Sequence, residues 1–355
     1  GSLTIDRRGI TLVWDETELV YDGTAQHPTV TGVAGAVSGE EDAVVGSVSY
    51  GGAGADATDA GDYTVTATLP EESNYEITAG AEKSFTIERR ALTFEVRDIV
   101  KDYDGKAYEF TTADLVLRSG EPAGGAQISD IVTGVTPSGA GATATDAGSY
   151  SFTLTPVVAE AYAKNYSIVG DFNGTISIDK LSVTLVWSTN REFVYDGTAQ
   201  RPEVTDIVGV LESEKDEVLA SVIYGAGSDA THAGNYTVTA TLPEDGNYEV
   251  TEGGGCEFTI APRPVSVTWT GGTEFTEDGE PHAPEAECAD AVAAVTTEYY
   301  ERNGDGSRGR KLAGEPDEAG AYIAVAVIAD ADNFEISGEL ECAFDIAEAE
   351  TGGGI

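Results

Sequence analysis

A six-residue stretch written twice, Tyr21-Asp-Gly-Thr-Ala-Gln26 and Tyr195-Asp-Gly-Thr-Ala-Gln200, constrains this chain more than any other feature. Tyr103-Asp104-Gly105 is a shorter copy and Glu277-Asp-Gly279 a worn one. A motif that returns at near-regular intervals marks a repeat array. Its local physics is that of a turn. Gly accepts positive φ at no steric cost, and Asp bonds its own backbone two residues on. The turns are therefore Tyr21, Asp22 and Gly23, then Tyr103, Asp104 and Gly105, then Tyr195, Asp196 and Gly197. None of these aspartates reads as catalytic.

The period follows from the ends of the repeats. Phe85-Thr-Ile87, Ile176-Ser-Ile178, Phe258-Thr-Ile260 and Phe344-Asp-Ile346 are one closing strand written four times. Leu3-Thr-Ile5 is the same strand ahead of the first repeat. The isoleucines are 82, 91, 82 and 86 positions apart. The boundaries are thus an expression scar and preceding remnant at 1–7, repeats at 8–88, 89–179, 180–262 and 263–349, and a tail at 350–355. The absence of methionine suits a piece of a longer chain. About 85 residues is enough for a small independent core.

Each repeat opens on period-two alternation. Ile10, Leu12 and Trp14 share a face, as do Val183, Leu185 and Trp187, then Val265, Val267 and Trp269. That is a half-buried strand, and the tryptophans read as core. A second landmark is Asp59-Ala-Gly-Asp-Tyr63, with copies ending in Tyr150, Tyr236 and Tyr322. A tyrosine at such a strand start suits a tyrosine corner, its hydroxyl tied to nearby backbone. The strand then alternates, with Tyr63, Val65 and Ala67 inward and Thr64, Thr66 and Thr68 outward. Asn74-Tyr75, Asn165-Tyr166, Asn247-Tyr248 and Asn333-Phe334 follow at steady spacing, read as a hairpin whose register matters. Stretches 211–220 and 285–295 fit a short helix. The fold class is all-β: four tandem small β modules in an extended array. An immunoglobulin-like sandwich is favoured, and a β-grasp-like fold with a short helix is the alternative.

Together these motifs resemble the MBG/YDG-type tandem repeats of bacterial surface proteins. The resemblance spans nearly the whole chain, departing most in repeat four, where Glu277 replaces the tyrosine. It implies a secreted or cell-wall-attached, adhesin-like protein in which the repeats form a stalk, with no shared catalytic residues.

Composition narrows the classes further. Sixty-three acids against 19 bases give a net charge of −44. Nucleic acid and anionic membranes repel such a chain. No apolar run approaches the roughly 18 residues a membrane span needs. The 41% hydrophobic share is too high for a disordered acidic tail. Histidines 27, 232 and 282 fall in different repeats, and no nucleophile elbow or phosphate loop occurs. No enzyme and no cofactor are expected. Calcium is the one cation the acidic loops 56–62 and 330–333 would suit, although neither matches an EF-hand. The seven lysines do not recur at one strand position, which argues against intramolecular isopeptide bonds. A monomer is expected, with a host protein or glycan as the partner class.

Three finer expectations follow. The junction bases Arg7, Arg8, Arg89, Arg90, Lys180 and Arg263 would pair with acidic loops of the neighbouring repeat. Cys288 and Cys342 of repeat four would close a disulfide, leaving Cys256 free. Repeat four carries the most divergent surface, so binding would sit there: Tyr299 and Tyr300 as aromatic platforms beside Arg302, Arg308, Arg310 and Lys311, flanking an inserted hairpin tip at Asn303-Gly-Asp-Gly306.

Overall fold

The computed structural model describes residues 1–349; the tail assigned to 350–355 lies outside them. The chain divides into two compact units, Gly1–Lys180 and Leu181–Ile355, each holding two repeats.

Repeat one sets the pattern. Its elements are β1 (Arg8–Trp14), β2 (Leu19–Val20), β3 (Val30–Ala34), α1 (Glu41–Gly46), β4 (Ser49–Gly51), β5 (Gly61–Thr68), β6 (Tyr75–Ala79) and β7 (Glu82–Glu88). They form a three-stranded sheet, β3-β1-β6, and a four-stranded sheet, β2-β7-β5-β4. β1 runs antiparallel to β3 and parallel to β6. Ile10, Leu12 and Val30 from the first sheet and Val65, Ala67 and Ile87 from the second are buried, so one apolar face of each sheet supplies the core. Thr64 and Thr68 point outward, as the alternation requires.

The other repeats repeat this topology. The first-sheet strand opening each repeat pairs in parallel with the strand after the Asn step, at one register: Arg8 opposite Tyr75, Arg90 opposite Tyr166, Leu181 opposite Tyr248, Arg263 opposite Phe334. Repeat four enlarges its second sheet to five strands with the hairpin Val295–Arg302 and Arg308–Lys311. The modules are all-β two-sheet sandwiches. The helices remain single short turns and cross no sheet, so the β-grasp alternative is not realised.

Of the two stretches read as helical, Lys215–Ala220 is a helix. The second is not. Glu285–Cys288 is a strand paired with Arg263–Thr270, because the opening strand of the repeat needs an antiparallel partner there. Repeat one also carries a helix, α1, where only strands and turns were expected. The tryptophans are structural: the indole N–H of Trp14 donates to Gly80 O at 2.8 Å, that of Trp187 to Gly253 O at 2.7 Å and that of Trp269 to Glu339 O at 2.8 Å.

Candidate functional site

The repeated turns are built alike. In the first, Gly23 has φ of 80° and Asp22 Oδ1 accepts from the backbone N–H and hydroxyl of Thr24 at 2.8 and 2.7 Å. In the third, Gly197 has φ of 82° and Asp196 accepts from Thr198 at the same distances. Asp104 instead accepts from Lys106 N and Lys101 Nζ. In repeats three and four the corner forms: Tyr236 donates to His232 O and Tyr322 to Glu318 O, each at 2.9 Å. Gly61 and Gly148 lie beside the rings of Tyr63 and Tyr150, and a side chain at Gly148 would come within 3.1 Å of the Tyr150 hydroxyl.

Turn and corner meet a third motif, and that meeting lies between repeats. In the first unit, Asn165 of repeat two is 6% exposed. Its Oδ1 accepts from the N–H of Ala60 in repeat one at 2.8 Å, and its Nδ2 donates to Asp59 Oδ1 at 2.9 Å. Lys164 adds an ion pair to Asp59 at 3.2 Å. The ring of Tyr21, from the repeat-one turn, stands edge-on to Tyr166 at 5.4 Å. Arg90 Nη1 donates to Tyr21 O at 3.3 Å. The Asn165 amide and then Lys164 hold the Asp59 carboxyl below the usual carboxylate range.

The second unit repeats the arrangement. Asn333 of repeat four is 4% exposed; its Oδ1 accepts from Ala233 N of repeat three at 2.8 Å. Its Nδ2 lies 3.0 Å from His232 Nδ1. Tyr195 meets Phe334 edge-on at 5.3 Å. In each unit the ring of the turn, the backbone amide of the corner and the entering asparagine thus meet at one junction. A buried amide satisfied on both its oxygen and its nitrogen fixes orientation, since flipping it would oppose like groups.

Arg90 and Arg263 interact favourably in charge with Asp22 and Asp196 of the preceding repeat's turn, as expected of the junction bases, but their direct bonds run elsewhere. Arg90 bonds carbonyls, of Tyr21 and of Glu121 in its own repeat, and Arg263 pairs with Asp290 of its own repeat at 2.6 Å. Arg8 likewise donates to Gly35 O. A direct cross-repeat ion pair comes from Lys164, which is not one of the junction bases named above.

Repeat four's predicted binding surface is real as a hairpin but is internally neutralised. Arg302 pairs with Asp345, Arg308 with Glu341, Arg310 with Glu301, and Lys311 with Glu298 at 2.7 Å. Tyr300 donates to Glu298 at 2.8 Å and lies under the Arg308 guanidinium. Tyr299 is 6% exposed and packs with Tyr322 and Phe344, so it is core and not a platform. It points inward because it sits opposite Ala324, on the apolar face of the sheet. Where repeat one has the outward threonines 64, 66 and 68, repeat four has Ile323, Val325 and Val327; Ile323 and Val325 are buried on the outer face, opposite Tyr300 and Glu298, whereas Val327 is exposed. Directly opposed residues share a face, so the pairs of Arg302, Arg308 and Lys311 and the Tyr300 ring cover this second apolar stripe, while Glu301, opposite the core residue Tyr322, holds Arg310 on the other side.

The expected disulfide is absent: Cys256, Cys288 and Cys342 are all free thiols. Cys288 lies on the three-stranded sheet, opposite Val267, and Cys342 on the five-stranded sheet, opposite Ala324. Burial pushes the Cys256 and Cys342 thiols up. Among the described residues no group of three or more His, Cys, Asp or Glu side chains is arranged to hold a metal ion. In the acidic loop 56–62, Asp59 is committed to the junction and Asp62 accepts from Thr86.

A feature missed in the sequence recurs on the outer faces of the second sheets. Repeat one has an open hollow of about 730 Å³ lined by Asp62, Thr64, Thr66, Ser84 and Thr86. Repeat two has one of about 680 Å³ along Ser149, Ser151, Thr153, Asn173 and Thr175. Repeat three has one of about 410 Å³ along Asn235, Thr237, Glu257 and Thr259. The outward threonines were legible; that they form matching hollows was not, because hollows depend on loop placement.

No family model and no curated protein matches the chain. Among solved structures, the I9–I11 tandem of titin aligns at 10% identity over 74% of this chain and 98% of that one, with a TM-score of 0.25. Drosophila N-cadherin EC1-4 aligns at 11% identity over 81% and 83%, with a TM-score of 0.19. Domains 7, 8 and 9 of the S-layer protein SbsC align at 12% identity over 72% and 97%, with a TM-score of 0.21. Superpositions this slight carry no functional argument. No described helix is long and apolar enough to cross a membrane.

Proposed function

We propose that this chain is a non-catalytic spacer: the tandem-repeat stalk region of a bacterial cell-surface, adhesin-like protein that presents a binding region. The observation that carries the reading is the recurrent junction. Within each unit the recurring turn, corner and asparagine are spent on holding one repeat to the other, through Asn165 in the first and Asn333 in the second. A chain selected for a reaction would keep an acid, base or nucleophile together at one site. The surface location draws support from the strongly acidic composition and the motif resemblance. Small-angle scattering tests the reading, since a spacer must be long. The expected maximum dimension is on the order of 120–180 Å for four modules of this size set end to end. The dimension of a single globule would contradict it.

A second reading, a binding array for glycan or host protein, is favoured by one observation. Three repeats share a hydroxyl-lined hollow at one place on the sheet. This moves the candidate binding face from repeat four to repeats one to three. A glycan array probed with the intact chain, with and without calcium, decides between them: the spacer reading expects no retained glycan in either condition.

A further inference from the structure

The junction has two halves. The donating half is the end of a repeat that carries the asparagine, the parallel-paired first strand and its arginine. The receiving half is the preceding repeat's turn and corner. Within the first unit, repeat two donates and repeat one receives. Repeat one also carries a donating half of its own, and it is uncovered.

Asn74 occupies the position of Asn165 and Asn333 but is exposed. Its backbone is set in the same way: Arg8 N donates to Asn74 O at 2.9 Å, as Arg90 N does to Asn165 O. Arg8 Nε is anchored on Gly35 O at 2.6 Å, as Arg90 Nε is on Glu121 O at 2.5 Å. In repeat two that anchored arginine goes on to reach the preceding turn at Tyr21 O. A third observation is independent. Leu3 and Ile5 are 87% and 85% exposed, whereas Ile87, at the matching place five residues before its opening strand's first core residue, is buried at 1%. Apolar pairs of this spacing are otherwise the closing strand of a folded repeat.

We infer that the N-terminal end of repeat one, around Asn74 and Arg8, is a docking surface for a further repeat of this same kind carried ahead of it. The occupant is defined by its chemistry: a corner offering a backbone N–H to Asn74 Oδ1 and an acceptor to Asn74 Nδ2, beside a turn carbonyl for Arg8. Repeat four offers such a corner at Glu318-Ala319-Gly320, closed by the Tyr322 hydroxyl on Glu318 O. The inference rests on the array reading above.

The test joins two copies of the whole chain so that Ile346 of the first takes the place of Ile5 of the second. This keeps the five-residue spacing to Ile10. A second fusion carries a flexible Gly-Ser linker at the same point, so the question stands if the direct joint fails to fold. Hydrogen exchange is followed at Ala319 of the first copy. The expected result is protection on the order of tenfold over the single chain, lost when Asn74→Ala is placed in the second copy. Asn333→Ala in the same molecules is the control, and it should release Ala233. Exchange at Ala319 that is unchanged in both fusions, or indifferent to Asn74→Ala, overturns the docking surface. If Ala233 also ignores Asn333→Ala, the array lock itself is wrong.

Discussion

Asn165 and Asn333 show how a single side chain is read wrongly from spacing alone. A fixed distance from the corner suggested hairpin register. In the fold, the distance is fixed because the asparagine must emerge at the end of the module, against the corner of the module before it. Removing it leaves a buried backbone N–H without a partner. Asn165→Ala is expected to cost about 1–3 kcal/mol in denaturant unfolding, the cost of an unsatisfied buried donor. Asn165→Asp should cost at least as much at neutral pH, because it sets a second carboxylate against Asp59. The corner bonds of Tyr236 and Tyr322 were legible in sequence, since a tyrosine two residues after Ala-Gly has little to do but reach back. Tyr236→Phe should cost about 1 kcal/mol, and an unchanged melting temperature would argue against the corner bond.

At the scale of elements, the opening strands, the tyrosine-headed strands and the closing strands were all legible, because period-two alternation reports a half-buried strand directly. The second half of repeat four was not. Its alternation fails at Ile323 and Val325, and sequence alone could not say what covered them. The cover is the added hairpin, whose Arg302, Arg308 and Lys311 pair with Asp345, Glu341 and Glu298 on that face. That same hairpin was read as a basic binding tip, because two of its bases pair with acids 33 and 43 positions away and the other two with acids of the facing strand, and neither pairing is marked along the chain. The energetic expectation is uneven. Arg308→Ala, which removes one exposed pair, should cost under about 1 kcal/mol. Ile323→Thr, which restores the pattern of the other repeats, buries a hydroxyl and should cost about 1–3 kcal/mol. Equal costs, measured by denaturant unfolding, would mean that the stripe is not sealed.

For the molecule as a whole, charge and junctions act together. A net charge of −44 repels itself, and salt screens that repulsion. The melting temperature at neutral pH should therefore rise with added salt. Acid should act in the opposite direction. The Thr198 hydroxyl and backbone N–H hold Asp196 below its usual range, and the Asn165 amide does the same for Asp59. A carboxyl lowered on folding contributes stability above its unfolded value, near 3.9 for aspartate, and loses it as pH falls through the folded value. Melting temperature should thus drop below about pH 4, beginning where these carboxylates take up protons.

The central claim is that within each unit the first repeat is held by an asparagine of the second. Amide exchange at Ala60 reports on it directly, because its N–H partner comes from Asn165, 105 positions along the chain. The expected result is that Ala60 exchanges slowly in the intact chain and quickly in Asn165→Ala, while the buried strand amides of both repeats stay protected. Rapid exchange at Ala60 in the intact chain, or protection that survives Asn165→Ala, would contradict it.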